Sequence, residues 1–184
     1  MKTIWSFVGL SFALLVLTSC ETTSSRPYIA STTNVIKLQE LMSSVGGKVA
    51  LGEFTQGPDI AAPGCRMLGP VDVAPGQSIA VYIKEAMLSE MFLAEVYARE
   101  SDVQIKAHLS ALSMQSFTPA SWNFEITVSS PRAGGFTLAT SYPFKTSFSA
   151  YGACQNAATA FAPAVQDLID KIITHPSFID LVGA

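Results

Sequence analysis

The sequence predicts an α+β fold, a two-layer sandwich in which a mostly antiparallel four-stranded sheet carries two main helices on one face. Three observations carry this expectation. Val103, Ile105, Ala107, Leu109 and Ala111 alternate with Gln104, Lys106, His108 and Ser110, and Trp122, Phe124, Ile126 and Val128 alternate with Asn123, Glu125 and Thr127. A period of two turns one side of each strand toward a core. Cys154, Ala158, Phe161, Val165, Leu168 and Ile172 are spaced 4, 3, 4, 3 and 4, with Asp167, Asp170 and Lys171 opposite, which is the pattern of an amphipathic helix. The segments run strand, helix, three strands, helix, and the first crossover is expected to be right-handed.

Taken in order, residues 35–44 form a short helix behind Asn34 as N-cap, stopped by Gly46-Gly47. Residues 48–55 read as the first strand, and the loop over 57–76 is rich in glycine and proline and holds Cys65. A helix over 78–99 follows, with Ile79, Ile83, Ala86, Met87, Ala94 and Tyr97 on one stripe. After the two alternating strands, a turn over 131–135 leads to a last strand marked by Phe136, Leu138, Tyr142, Phe144 and Phe148, where Pro143 signals an edge or a bulge. Pro163 implies either a kink or a break in the long helix. His175-Pro176 ends it, and Ser177 is placed to cap a final turn through Phe178 and Leu181.

The amino terminus carries Lys2, an apolar run over residues 4–17, and then Leu17-Thr18-Ser19-Cys20. The run is shorter than a membrane span and meets a small residue, as a secretory signal does. The four residues resemble the lipobox of bacterial lipoproteins. That resemblance implies cleavage before Cys20, acylation of its thiol with palmitate-like chains, and acylation of the new amino terminus. Two or three chains give stable anchoring, because each buried CH2 adds roughly 0.8 kcal/mol and one chain alone is marginal. Glu21 stands where many inner-membrane lipoproteins carry aspartate, so the resemblance further implies the outer membrane, with the domain facing the periplasm. The alternative is an ordinary secretory signal with a coincidental cysteine. The expected organisation is a signal over 1–19, an acylated cysteine and flexible polar tether over 20–34, and one α+β domain over 35–184.

Residues 1–19 hold Lys2 and no acid, so their removal takes the formal charge from -3 to -4. A mildly acidic chain without a Lys/Arg cluster argues against a nucleic-acid partner. With Cys20 committed to lipid, Cys65 and Cys154 remain, and an oxidising compartment allows them to pair. The alternative is two buried free thiols. A zinc site is disfavoured, because neither cysteine lies in a CxxC pair and no histidine is at ligand spacing; neither metal nor cofactor is expected.

Catalytic candidates are few. Gly76-Gln77-Ser78-Ile79-Ala80 resembles an incomplete nucleophile elbow, but no convincing strand precedes it, so Ser78 reads better as an N-cap. His108 lies on the wet face of a strand and His175 before a helix-ending proline, both as surface residues; Glu53, Asp59 and Asp72 read as solvated carboxylates. Glu90 projects into the apolar stripe of the 78–99 helix, and either it pairs with Lys106 or Arg99 or the helix is rotated from this assignment. Val81, Leu88, Phe92 and Val96 form a second apolar line, which either packs under the second long helix or is exposed to a protein or lipid partner.

By these patterns the mature chain resembles small outer-membrane lipoproteins of the YajG-like kind, and more loosely the LpoB penicillin-binding-protein activators and the LptE lipopolysaccharide-assembly lipoproteins. The resemblance implies a non-enzymatic, lipid-anchored accessory or adaptor protein in outer-membrane or cell-wall assembly, with an envelope protein or amphipathic ligand as partner. The alternative is an anchored periplasmic hydrolase using Ser78.

Overall fold

In the computed structural model, which describes residues 23–183, the chain runs β1 (Thr23–Ser24), α1 (Thr32–Val45), β2 (Ala50–Gln56), β3 (Val71–Asp72), α2 (Ile79–Leu93), β4 (Gln104–Gln115), β5 (Ser121–Ser130), β6 (Ala133–Pro143), α3 (Ala150–Ile173) and α4 (Phe178–Val182). The main sheet has the order β2-β4-β5-β6. The β4–β5 and β5–β6 pairings are antiparallel, as the hairpin patterning requires, whereas β2 lies parallel to β4 because α2 joins them. The four-stranded sheet is therefore mixed. A separate two-stranded parallel ladder, β1 beside β3, had no sequence signal.

α2 packs on β2 and β4 and α3 on β5 and β6, while α1 lies against α2, α3 and α4. Trp122 joins the layers: its ring is fully buried, meets Phe161 of α3 edge-on at 4.9 Å, and its indole N–H donates to the Ala157 carbonyl at 2.9 Å. A buried indole is tolerated because that donor is satisfied. The outer face of the sheet carries exposed Lys106, His108, Ser110 and Glu125.

Several expected boundaries move, each for a local reason. A bulge between Leu109 and Ala111 shifts the phase of β4, so Ala111 is exposed and Leu112 and Met114 turn inward. β6 stops at Pro143, and Phe148, expected in line with the strand, is fully exposed beyond it. α2 ends at Leu93 in a Schellman motif: Glu95 takes a φ of 61°, its N–H bonds Phe92 O at 3.0 Å, and the Val96 N–H bonds Met91 O at 3.1 Å. α3 continues through Pro163 without breaking. The N-cap of α1 is Ser31, whose hydroxyl accepts the Asn34 N–H at 3.3 Å; Asn34 itself is buried. Ser177 makes no side-chain cap on α4.

Candidate functional site

The residues between β1 and α1 are strapped across α2. Thr23 and Ser24 pair with Val71 and Asp72, and the Ser25 hydroxyl donates to Val73 O at 2.7 Å. Oε1 of Glu90 then gathers three donors from the strap and the head of α1: the Tyr28 hydroxyl, the Ser31 N–H at 2.9 Å and the Asn34 amide at 3.3 Å. The Asn34 amide also donates to Gln166 O of α3 at 2.9 Å, and the Gln166 side chain returns a bond to Ile29 O at 2.7 Å. The flexible tether expected over 20–34 is corrected for residues 23–34; residues 20–22 lie outside the described residues. From Thr23 onward the chain belongs to the domain, because a buried carboxyl requires donors and this segment supplies them.

Glu90 is fully buried, so α2 is not rotated from its expected orientation. Its partners are neutral groups and not Lys106 or Arg99, both of which are exposed. Burial raises its pKa above the ordinary 4.5, and the hydrogen bonds from Tyr28, Ser31 and Asn34 offset only part of that rise. Burial, followed by the bond to Glu90 and its charge, pushes the Tyr28 phenol far above its usual range, so Tyr28 stays a donor. Burial also pushes the neighbouring Tyr82 up to about 12. A pocket of about 380 Å³ opens beside this network, between the strap and α2, with Arg26, Tyr28, Gln77, Tyr82, Glu85 and Ser89 on its wall.

The nucleophile and base candidates are engaged elsewhere. Ser78 is the N-cap of α2, its hydroxyl accepting the Val81 N–H at 3.2 Å. Nδ1 of His108 hydrogen-bonds the Thr55 hydroxyl at 2.8 Å. His175 is not a plain surface residue: its ring stacks on Phe136 with centroids 3.8 Å apart, and its Nδ1 accepts the Ser177 N–H at 3.2 Å. Glu53 and Asp59 are exposed and Asp72 is half-buried. Among the described residues no group of three or more His, Cys, Asp or Glu side chains could hold a metal ion, and no helix is long and apolar enough to cross a membrane.

Of the apolar line on α2, Val81 and Phe92 are exposed, Phe92 at 71%, and Leu88 is half-buried. Val96 does not belong to the line; it is buried past the end of the helix, its carbonyl accepting the Val49 N–H at 3.0 Å. Cys65 and Cys154 form a disulfide across 89 positions, with Cα atoms 5.8 Å apart. Cys20 and the signal segment lie outside the described residues.

Arg66, which the sequence did not single out, reaches from the disulfide loop to two others. Its guanidinium donates to Ser116 O at 2.6 Å, Thr146 Oγ1 at 3.2 Å and Ser147 O at 3.0 Å, and lies 4.4 Å from the centroid of the Phe117 ring. An arginine fork converging on several carbonyls orders loops that lack secondary structure.

No family model matches the chain, and no curated protein matches it. Two solved structures are similar in shape. One, a protein of Xanthomonas campestris described under the family model DUF330, is 10% identical, with a TM-score of 0.45 over 69% of this chain and 83% of its own. The other, described as an uncharacterized protein, is 11% identical, with a TM-score of 0.46 over 83% of this chain and 99% of its own. Neither likeness assigns a function.

Proposed function

We propose that the protein is a lipid-anchored outer-membrane lipoprotein that faces the periplasm and acts by binding an envelope protein or amphipathic ligand. The observation behind this reading is the seating of the amino-terminal segment. With Cys20 acylated, only Glu21 and Thr22 separate the anchor from a chain fastened to the domain by the β1–β3 ladder and by Glu90. Such an attachment holds the domain at a fixed place on the membrane, which serves an adaptor. The exposed Val81 and Phe92 offer a partner apolar surface on a helix whose other side is core.

The use of the Ser78 hydroxyl as a helix cap favours binding over the hydrolase alternative. Affinity purification of the full-length protein from detergent-solubilised envelopes, with Cys20→Ala as control, tests the reading. The expected result is an envelope component that co-purifies with the parent protein, is diminished by Phe92→Ser, and is unaffected by Ser78→Ala. Mass measurement of the amino-terminal peptide tests acylation. An unmodified Cys20, or no co-purifying component, overturns the reading.

A further inference from the structure

We propose that the loop tip formed by Met67, Leu68, Phe117 and Phe148 is a second membrane contact, which inserts into the phospholipid leaflet that holds the acyl chains of Cys20. The inference rests on the lipid-anchor reading above and adds which part of the domain meets the bilayer.

The tip is built to expose apolar side chains. Met67 and Phe148 are fully exposed, Phe117 is 60% exposed and Leu68 48%. Isolated exposed apolar residues are ordinary, but several large ones converging from separate loops at one end of a fold mark a contact surface. They converge because Arg66 binds the 116–117 loop and the 146–148 loop to its own.

The disulfide loop is also held in an unfavourable conformation. Arg66 and Met67 both lie in the left-handed region, at φ 45° and 63°. Such conformations persist only where the surroundings impose them. Here the Cys65–Cys154 bridge, the Cys65 N–H to Gly69 O bond and the Leu68 N–H to Cys65 O bond, both at 2.9 Å, impose them. The result is a narrow projection that presents Met67 to the surroundings.

The place where β1 begins identifies the occupant. β1 runs parallel to β3, with Thr23 opposite Val71 and Ser24 opposite Asp72. Thr23 and Val71 therefore stand at the same end of the ladder, the end that Pro70, Gly69, Leu68 and Met67 precede. Cys20 precedes Thr23 by three residues, a reach of at most about 11 Å for an extended chain. With so short a reach, acyl chains at Cys20 would bring a bilayer to the end of the domain that carries the tip. Charge agrees. The loops 63–70, 115–120 and 144–151 contain Arg66 and Lys145 and no carboxylate, as suits a surface that meets phosphate headgroups.

The test uses the full-length acylated protein in vesicles of phosphatidylethanolamine and phosphatidylglycerol. Phe148→Trp and Met67→Trp place an indole at the tip, and Phe92→Trp places one on α2, about 20 Å along the helix from its start. Trp122 is buried and serves as a constant background. All three positions are largely solvent-exposed, so the fold tolerates the changes. The expected result is blue-shifted emission, quenched by brominated lipids, for the two tip variants, with water-like and unquenched emission for Phe92→Trp. Flotation and the mass of the amino-terminal peptide report the anchor separately. An acylated, floating protein whose tip indoles stay water-like overturns the inference and leaves the anchor reading standing, whereas an unacylated protein that does not float overturns both. Equal quenching at all three positions, or a tip blue shift that requires added envelope proteins and is absent with vesicles alone, also overturns the lipid assignment.

Discussion

The Tyr28 hydroxyl donates to Oε1 of Glu90 across 62 positions of sequence, and by that contact the segment before α1 becomes part of the domain. Without it Glu90 loses one of its three donors, and the strap keeps the Ser31 bond, the β1–β3 ladder and the Gln166 bond. Tyr28→Phe is expected to lower unfolding free energy by about 1 to 3 kcal/mol, the cost of removing a partner from a buried polar group. Limited proteolysis should show earlier cleavage within residues 23–31 than in the parent. Unchanged stability and unchanged cleavage would contradict the strap.

Glu90 makes stability depend on pH. Its folded pKa is raised by burial above the ordinary 4.5, so over that interval the folded state binds more protons than the unfolded chain. Stability contributed by the neutral carboxyl is complete below about 4.5 and is lost as pH rises through the folded pKa. Glu90→Gln removes this loss, and the variant gains on the parent as pH rises. Urea unfolding between about pH 5 and pH 8 measures the difference; a difference constant across that range would count against a raised pKa.

The Cys65–Cys154 bridge closes a loop of 89 positions with both sulfurs buried. In the chain-entropy model a loop of this length stabilises by about 4 to 5 kcal/mol. Thermal unfolding with and without reductant should show a large drop in midpoint, and Cys65→Ser with Cys154→Ser should reproduce it without reductant. Labelling of both thiols in the unreduced native protein would exclude the bridge.

Gly135, just past the turn of the β5–β6 hairpin and beside the register shift between Val128 and Ser130, has a φ of 92°, and an added Cβ there would lie 2.3 Å from the Val128 carbonyl oxygen. Gly135→Ala combines a disfavoured backbone with a backbone clash. It is expected to cost about 1 to 3 kcal/mol from the conformation alone, with more from the clash. Chemical denaturation should place it among the most damaging single methyl additions, well beyond Gly134→Ala, where nothing lies within 4 Å.

Phe92→Ser removes an apolar side chain that is 71% exposed. Surface changes of this kind usually stay within about 0.5 kcal/mol, so the melting profile should hardly move. A loss of partner capture with an unchanged melting profile separates a binding role from a structural one; unaltered capture removes Phe92 from the surface.

Much of the fold was legible because burial is periodic along regular elements. The inward alternation of Trp122, Phe124, Ile126 and Val128 and the stripe from Cys154 to Ile172 are all buried as read. The capping role of Ser78 was legible for the same reason, since a cap depends on the next three residues. The misreadings come at interruptions. The bulge after Leu109 inverts the alternation at Ala111, and Phe148 looks like the next residue of a strand that Pro143 has already ended. Val96 fits the helical spacing of Val81, Leu88 and Phe92 but follows the left-handed turn at Glu95, which no apolar pattern announces.

By itself the sequence determined the periodic elements, the cysteine pair and the lipobox-like segment at Cys20, together with the anomaly of an acid in an apolar stripe. Each depends on spacings of a few residues or on composition. Tertiary structure alone decided that Oε1 of Glu90 takes neutral donors from Tyr28, Ser31 and Asn34, that the segment before α1 is fastened to the domain, and that Arg66 draws three loops into one apolar tip. Those contacts join residues 50 to 81 positions apart. The donors, carbonyls and rings involved carry no local mark of their partners, and only the packed chain brings them within hydrogen-bonding distance.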